Sequence, residues 1–118
     1  MLLPKRVSSM LVTRDLAAAS ALYEALGFAR VETDAPGCVG YVAGETGVIL
    51  VDREFADVCW GDVAASLVER VVPYIHVASL DDLPEDTRVL ANVHTTYGTH
   101  EIVLATSTGP IVLAAMAA

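Results

Sequence analysis

Basic residues and cysteines are scarce in this chain of 118 residues. Lys and Arg together number 7 against 15 Asp and Glu, which gives a formal net charge of −8. A surface of that sign repels phosphate backbones and favours cationic partners, so no nucleic-acid partner is expected. The two cysteines, Cys38 and Cys59, form neither a disulfide framework nor a CxxC pair. They are typical of small buried residues in a reducing compartment.

Uninterrupted apolar runs of membrane-spanning length are also missing. Residues 102–118 carry no charge, but a Ser-Thr-Gly-Pro turn at 107–110 divides them. A turn cannot cross a bilayer unsupported, so this region predicts two buried strands rather than a membrane anchor. The N-terminal apolar stretch is too short for a signal peptide. We therefore expect a cytoplasmic protein with no membrane partner.

Common catalytic motifs are absent as well. The chain contains no G-x-S-x-G, no phosphate-binding Walker loop and no G-x-G-x-x-G, and neither cysteine lies near a plausible base in sequence. Apolar residues make up 54% of the chain. Because a domain of this size cannot bury that much apolar surface alone, a homo-oligomer is expected.

The chain contains a repeated sequence pattern. TGVILV at 46–51 is followed by TGPIVL at 108–113, each a turn that leads into a strand. The first half predicts a helix opened by Asp15 and closed by Gly27, with strands at 6–13, 28–33, 38–43 and 48–52. The second half predicts strands at 71–78, 88–95, 101–105 and 111–115, and at most a short helix at 80–86 because Pro84 interrupts it.

The predicted fold class is therefore α+β, with two βαβββ modules, the second with a shortened helix, forming an open barrel-like cleft. The single domain 1–118 divides into module 1 at about 5–54, a linker at 55–70 with some helical character, and module 2 at about 71–118.

Three stretches resemble a known superfamily. They are DLAAASALYEALGF (15–28), Val77-Ala78-Ser79-Leu80, and Tyr97-Gly98-Thr99-His100-Glu101 followed by Thr108-Gly109. They are similar to motifs of the vicinal-oxygen-chelate superfamily, which includes glyoxalases, bleomycin-resistance proteins and extradiol dioxygenases. The resemblance is closest to metal-free bleomycin-resistance members. It implies a cleft between two modules, commonly within a homodimer.

The resemblance also implies where a divalent metal would be held. By motif spacing, the four ligand positions fall at Ser8, Val51, Val72 and Leu113, and a shift of one residue offers only Asp52 as a good ligand. Apolar side chains cannot offset the cost of removing water from a divalent ion. No metal, other cofactor or catalytic residue is therefore expected, and the chain is not expected to be an enzyme.

Strand alternation predicts which side chains remain in the cleft. We expect Tyr74 and His76 to face it, with Ser8, Met10 and Val12 opposite, Ile49, Val51, Ile111 and Leu113 beneath, and Trp60 at one end. The predicted ligand contacts are Tyr41, Trp60, Tyr74 and His76, and the predicted partner is a cationic or aromatic small molecule. Tyr74 and His76 fit equally well as packed residues with satisfied hydrogen bonds.

Two other functions remain open at this stage. One is a metal-dependent lyase, isomerase or dioxygenase of the same superfamily, with a relocated metal site drawn from His76, His94, His100 and Glu101. The other is a dimeric structural or regulatory module whose cleft is filled by its own side chains. The sequence also leaves open whether the modules pair within one chain or are exchanged between two.

Overall fold

The computed structural model describes residues 2–33, 35–81, 83–85, 87–95 and 97–116. The first half contains β1 (Pro4–Thr13), α1 (Leu16–Ala25), β2 (Ala29–Glu32), β3 (Cys38–Ala43) and β4 (Thr46–Asp52). The second half contains β5 (Val71–Val77), β6 (Arg88–His94), β7 (Thr99–Thr106) and β8 (Gly109–Met116). The linker forms α2 (Arg53–Trp60), a 3-10 turn (Gly61–Val63) and α3 (Ala64–Leu67).

All eight strands form one open sheet in the order β2-β3-β4-β1-β5-β8-β7-β6. In each half the first strand pairs in parallel with the last, as β1 with β4 and β5 with β8. The halves join through antiparallel pairing of β1 with β5, in which Ser8 lies opposite Tyr74 and Met10 opposite Val72. The predicted α+β fold of βαβββ type is confirmed, and β1 and β5 join its two halves in one open sheet.

Helix α1 begins and ends where its sequence predicts. The Asp15 side chain accepts a hydrogen bond from the backbone N–H of Ala18 at 3.0 Å, which satisfies one of the free donors of the first turn. After the helix, Gly27 adopts φ +98°, a conformation that disfavours any side chain. The apolar stripe of α1, which includes Leu16 and Tyr23, packs against one face of the first half of the sheet.

In the second half, the described residues between β5 and β6 form no helix. The short helix predicted at 80–86 includes Asp82 and Asp86, which lie outside the described residues. The described residues Leu80 and Leu83 pack against a cluster formed by Val77, Ile102 and Leu104. A short apolar segment thus covers part of the face that α1 covers in the first half.

The linker packs on the other face of the sheet. Its buried side chains Ala56, Trp60, Ala64 and Leu67 join a core cluster with Met10, Val12, Val51, Val72, Tyr74, Val103, Val112 and Ala114. Helix α2 ends at Gly61, which adopts φ +62°. The linker therefore lies across both modules. None of the helices in the described ranges is long and apolar enough to cross a membrane.

The prediction that Ile111 and Leu113 of β8 face the cleft is wrong by one residue. Leu113 packs with Val77 and Ile102 in the cluster on the face away from the linker, and Ile111 packs against the same cluster. Val112 and Ala114 point to the linker face instead. Side chains alternate along a strand, so an error of one position exchanges the two faces. The residues that β8 presents on the linker face are nevertheless apolar too.

Candidate functional site

A cavity of about 360 Å³ lies between α2 and the sheet of the first module. Its walls come from β1, β3, β4, β5 and α2, with further residues from the hairpin that leads into β7. The lining side chains include Ser8, Met10, Ile49, Val51, Phe55, Trp60, Tyr74, His76, Tyr97 and Thr99. All four predicted ligand contacts, Tyr41, Trp60, Tyr74 and His76, therefore border one space. Val12 is fully buried in the adjoining core and does not border it.

Glu101 is fully buried and receives hydrogen bonds from residues that line the cavity. The indole Nε1 of Trp60 donates to Oε1 at 3.1 Å, and the hydroxyl of Thr99 donates to Oε2 at 3.0 Å. The Tyr97 hydroxyl lies 3.2 Å from Oε1 and 3.0 Å from Oε2, and the Tyr74 hydroxyl also donates to Oε2. Both carboxylate oxygens are thereby occupied by protein donors.

The tyrosine hydroxyls are held in their neutral, donating form. Burial raises the pKa of Tyr74 above its ordinary value, and the negative charge of Glu101 and the hydrogen bond to it raise this pKa further. Burial and then the Glu101 charge raise the pKa of Tyr97 in the same way. None of the ion pairs found among the described residues includes Glu101. The carboxylate is compensated by neutral donors rather than by a cation.

A second contact orders the wall on the side of α2. The Phe55 ring stacks on Tyr97, with ring centroids 6.0 Å apart and planes inclined by 29°. Phe55 sits directly over Gly37, where an added Cβ would lie 2.3 Å from the Phe55 Cβ. Only glycine leaves room for this approach. The position of the Phe55 ring therefore depends on the absence of a side chain at residue 37.

His76 lies at the other end of this wall, in edge contact with the Tyr74 ring at a centroid distance of 5.1 Å. Burial lowers the pKa of His76, and the nearby Arg6 guanidinium lowers it further. Arg6 Nη2 lies 3.4 Å from His76 Nε2, and because a guanidinium only donates, this ring nitrogen is assigned as the acceptor. The proton of the neutral ring then lies on Nδ1, which is buried and has no hydrogen-bond partner among the described residues.

The prediction for Tyr41 is wrong as regards its ring. Tyr41 borders the cavity, but its ring is stacked with Tyr23 of α1 at a centroid distance of 6.1 Å. Its hydroxyl donates to Glu24 at 2.6 Å. Alternation along β3 explains this, because residues with the parity of Cys38 and Gly40 face the cavity and Tyr41 has the other parity. Its ring is not available to stack on a ligand.

The metal positions implied by the superfamily do not fit a divalent ion. Ser8 and Val51 border the cavity, Val72 is buried in the core below it, and Leu113 lies on the other face. Within the described ranges, no group of three or more His, Cys, Asp or Glu side chains is arranged to hold a metal. A hydroxyl and apolar groups supply no ligand set for such an ion.

The residues proposed for a relocated metal site do not converge on one point, because of the four only His94 and His100 meet. His94 and His100 stack on each other with centroids 4.3 Å apart, in an open groove with Ile102, Ala115 and Met116. His100 Nε2 lies 2.6 Å from Asn92 Oδ1 in the same groove. Ile102 and Ala115 belong to the cluster on the far face of the sheet, whereas His76 lines the cavity. Glu101 is already occupied by the cavity donors.

Sequence reasoning missed Phe55, Tyr97 and Thr99 as cavity residues and Glu101 as the acceptor beneath them. One local signal was available: Glu101 begins the apolar run Ile102-Val103-Leu104 inside a predicted strand. A carboxylate at the edge of such a run is seldom fully buried unless it has partners. Tyr97 and Thr99 precede Glu101 by four and two residues, so they were open to local reasoning. Trp60 and Tyr74 have no local signal, because they lie 41 and 27 residues away.

No model of a known protein family matches the chain, and no curated protein matches it. Solved structures do. A member of the glyoxalase/bleomycin resistance protein/dioxygenase superfamily from Vibrio splendidus 12B01 is similar, with a TM-score of 0.56 and 16% identity over 93% of this chain and 97% of that one. An uncharacterized protein from Methanosarcina mazei matches with a TM-score of 0.52 and 18% identity over 97% and 94%. The chain therefore has the fold of the glyoxalase/bleomycin resistance protein/dioxygenase superfamily, the group that its motifs resemble.

Proposed function

We propose that this chain is a metal-free small-molecule-binding protein of the bleomycin-resistance type, which sequesters a flat, partly cationic compound rather than transforming it. In this proposal the protein is a cytoplasmic homodimer with one cavity per chain. The observation that carries the proposal is the cavity over the first module, which has aromatic rings on one wall and few polar points.

The make-up of the cavity supports binding of a small aromatic compound. Its volume of about 360 Å³ is at the lower end for ligand pockets, which suits a compact molecule. Met10, Ile49 and Val51 supply an apolar floor, while Ser8 and His76 supply polar atoms. An apolar pocket with a small number of polar groups is the usual composition of a small-molecule site.

Sequestration rather than catalysis is supported by the missing metal ligands. Reactions of this superfamily stabilise an enediolate or hold two vicinal oxygens on a divalent ion, which requires ligands that converge from both modules. Val51 and Val72 have no atom that can coordinate a cation. The donors in the cavity wall form hydrogen bonds to Glu101, so they are not free to polarise a substrate.

A preference for cations is supported by the net charge of −8, which creates a long-range field that attracts positively charged compounds. Dimerisation is supported by large apolar side chains on the surface, of which Val58 is 80% exposed, Met116 77% and Val71 68%. Sedimentation equilibrium should then give twice the chain mass of 12.4 kDa.

A thermal-shift screen with neutral and cationic aromatic compounds tests the proposal. Binding to the folded state raises the midpoint of unfolding. A matched variant, Gly47→Leu, would project a side chain toward Ser8 on the cavity wall and should abolish the shift, because a Cβ at residue 47 lies 3.8 Å from Ser8 Oγ. Ala65→Ser, at an exposed position of α3, should retain it. If no compound of a broad panel shifts the midpoint, the binding proposal fails.

A further inference from the structure

We infer that the end of the cavity next to Glu101 is an aromatic cage for the quaternary ammonium group of an organic cation. The inference rests on the proposed function and specifies the chemical class of the ligand. Three features of the structure carry it: the rings that line this end, the buried carboxylate behind them, and the absence of a spare hydrogen-bond acceptor on that carboxylate.

The first feature is the set of rings. Phe55, Trp60, Tyr74 and Tyr97 all border the cavity. The Phe55 and Tyr97 rings form a stacked pair on one side, and the Trp60 and Tyr74 side chains approach from α2 and β5. Aromatic faces attract cations through the ring quadrupole, most strongly where water is excluded, and clustered rings of this kind recognise quaternary ammonium groups.

The second feature is the position of the charge. Glu101 is fully buried and does not border the cavity, while Trp60, Tyr74 and Tyr97 stand between it and the open space. A charge surrounded by protein acts on its neighbours with little screening by solvent. Each of the three side chains also donates a hydrogen bond to the carboxylate, which polarises the ring toward greater electron density. Both effects make this end of the cavity favourable for a cation.

The third feature distinguishes quaternary from primary ammonium groups. A primary ammonium has three N–H donors, and each of them needs an acceptor once water is removed. Both oxygens of Glu101 are already occupied by donors from Trp60, Tyr97, Tyr74 and Thr99. A quaternary ammonium has no N–H and needs only a cavity lined with electron-rich faces. The wall therefore matches the quaternary group better.

The opposite end of the cavity sets the orientation of the ligand. Arg6 and His76 border the cavity there, and both lie two residues along their strands from the Ser8–Tyr74 pair. Two residues of a strand span about 6.6 Å, so the guanidinium end is distinct from the aromatic end. The Arg6 charge disfavours a cation nearby and favours a ligand oxygen. A compact ligand with a quaternary ammonium at one end and an oxygen at the other fits both ends.

Calorimetric titration with three soluble probes, of which the first two match in size, tests this inference. Choline carries a quaternary ammonium, 3,3-dimethyl-1-butanol replaces its nitrogen with carbon, and ethanolamine carries a primary ammonium. We expect choline to bind about tenfold or more tightly than either of the other probes, as cation–π recognition in a desolvated site predicts. Equal affinity for choline and its uncharged isostere would overturn the inference.

Three variants assign the effect to the cage. Glu101→Gln removes the charge at nearly constant size and should abolish the preference for choline over the isostere. Because this change touches a buried network, Phe55→Leu provides a second variant that removes one ring without touching a hydrogen bond to Glu101, and it should weaken choline more than the isostere. The control, Ala65→Ser, alters an exposed position of the linker that neither borders the cavity nor carries one of the exposed large apolar side chains. Unchanged selectivity in both cage variants would contradict the inference.

The outcomes separate the inference from the function on which it rests. If neutral aromatic compounds bind in the thermal-shift screen and choline does not bind, the cage is wrong and small-molecule binding stands. If neither choline nor any compound of the screen binds, both proposals fail.

Discussion

The indole Nε1 of Trp60 donates a hydrogen bond to Glu101 Oε1 at 3.1 Å, across 41 residues of sequence. This bond fixes the end of α2, in the linker between the modules, to the buried start of an apolar run in β7. Tyr74 and Tyr97 reach the same carboxylate from β5 and from the turn before β7. One acidic side chain thereby sets the arrangement of three aromatic side chains along the cavity wall.

Replacement of Glu101 tests how much of the fold depends on this network. Glu101→Ala leaves the donors of Trp60, Tyr74, Tyr97 and Thr99 without their acceptor, and each buried unpaired donor costs roughly 1–3 kcal/mol. Some of these donors will find water in the enlarged cavity, so we expect the free energy of unfolding to fall by about 3–5 kcal/mol.

Urea denaturation measures this change. The control is Glu54→Ala, an exposed carboxylate in the first turn of α2, which should alter the free energy of unfolding by no more than about 0.5 kcal/mol. A loss below about 1 kcal/mol for Glu101→Ala would show that the network contributes little to stability.

Gly37 provides a second test of the cavity wall. In Gly37→Ala the new Cβ would lie 2.3 Å from the Phe55 Cβ, so the ring must move away from Tyr97. Overpacking of this kind costs about 1–3 kcal/mol in free energy of unfolding. The matched change Gly40→Ala meets its nearest neighbour, the Val31 carbonyl oxygen, at 3.4 Å and should be nearly neutral. Equal stability of the two variants in urea would contradict the packing described for Phe55.

The half-buried thiol of Cys38 gives a prediction that depends on pH. Burial raises the pKa of Cys38 from 9.0 to about 11, against a smaller lowering by a hydrogen bond with Thr33. Only the thiolate is nucleophilic, so at pH 8 its fraction is about a hundredfold below that of a thiol with the ordinary pKa. The rate of alkylation should rise about tenfold per pH unit up to about pH 11.

Mass spectrometry after iodoacetamide treatment measures this rate in a Cys59→Ser variant, which leaves Cys38 as the only thiol. Cys38 borders the cavity, so a bound ligand should slow its reaction further. Alkylation of the folded protein at pH 8 as fast as that of the urea-unfolded chain would contradict the raised pKa of Cys38.

Metal analysis tests whether the four ligand positions implied by the superfamily can hold an ion in this chain. After incubation with zinc, nickel, manganese and iron and then gel filtration, elemental analysis should find metal at a stoichiometry near zero, because Val51 and Val72 cannot coordinate an ion. A retained stoichiometry near one per chain would contradict the metal-free proposal. Comparison of His76→Ala with His100→Ala would then show whether the ion lies in the cavity or in the groove on the other face.

Local signals in the sequence were sufficient for most of the fold. The Asp15 cap, the Gly27 terminator and the turn glycines determine where elements begin and end, and β3 has the predicted bounds at 38–43. These signals act over a few residues, so they can be read without knowledge of the tertiary structure. The repeated turn and strand likewise predicted two modules of the same order, which the sheet confirms.

The candidate site was only partly predictable. The face of the sheet that a side chain occupies, and the distant side chains that it meets, are not determined by local sequence. Leu113 was assigned to the cleft by counting along its strand, and a shift of one residue moves a side chain to the other face. Tyr41 was predicted as a contact because it is aromatic, with no register to fix which face it occupies. Glu101 and its donors come from α2, β5 and the β6–β7 hairpin. Their meeting depends on how the linker packs across both modules, which no single segment specifies.

The most direct test of the account is a fluorescence titration, because Trp60 is the only tryptophan and its ring borders the cavity. We predict that cationic aromatic compounds change its emission saturably, with one site per chain, and that Tyr41→Phe leaves the affinity unchanged because that ring faces α1. Emission that shows no saturable change across a broad panel of cationic and neutral compounds would contradict the claim that this cavity is a ligand site.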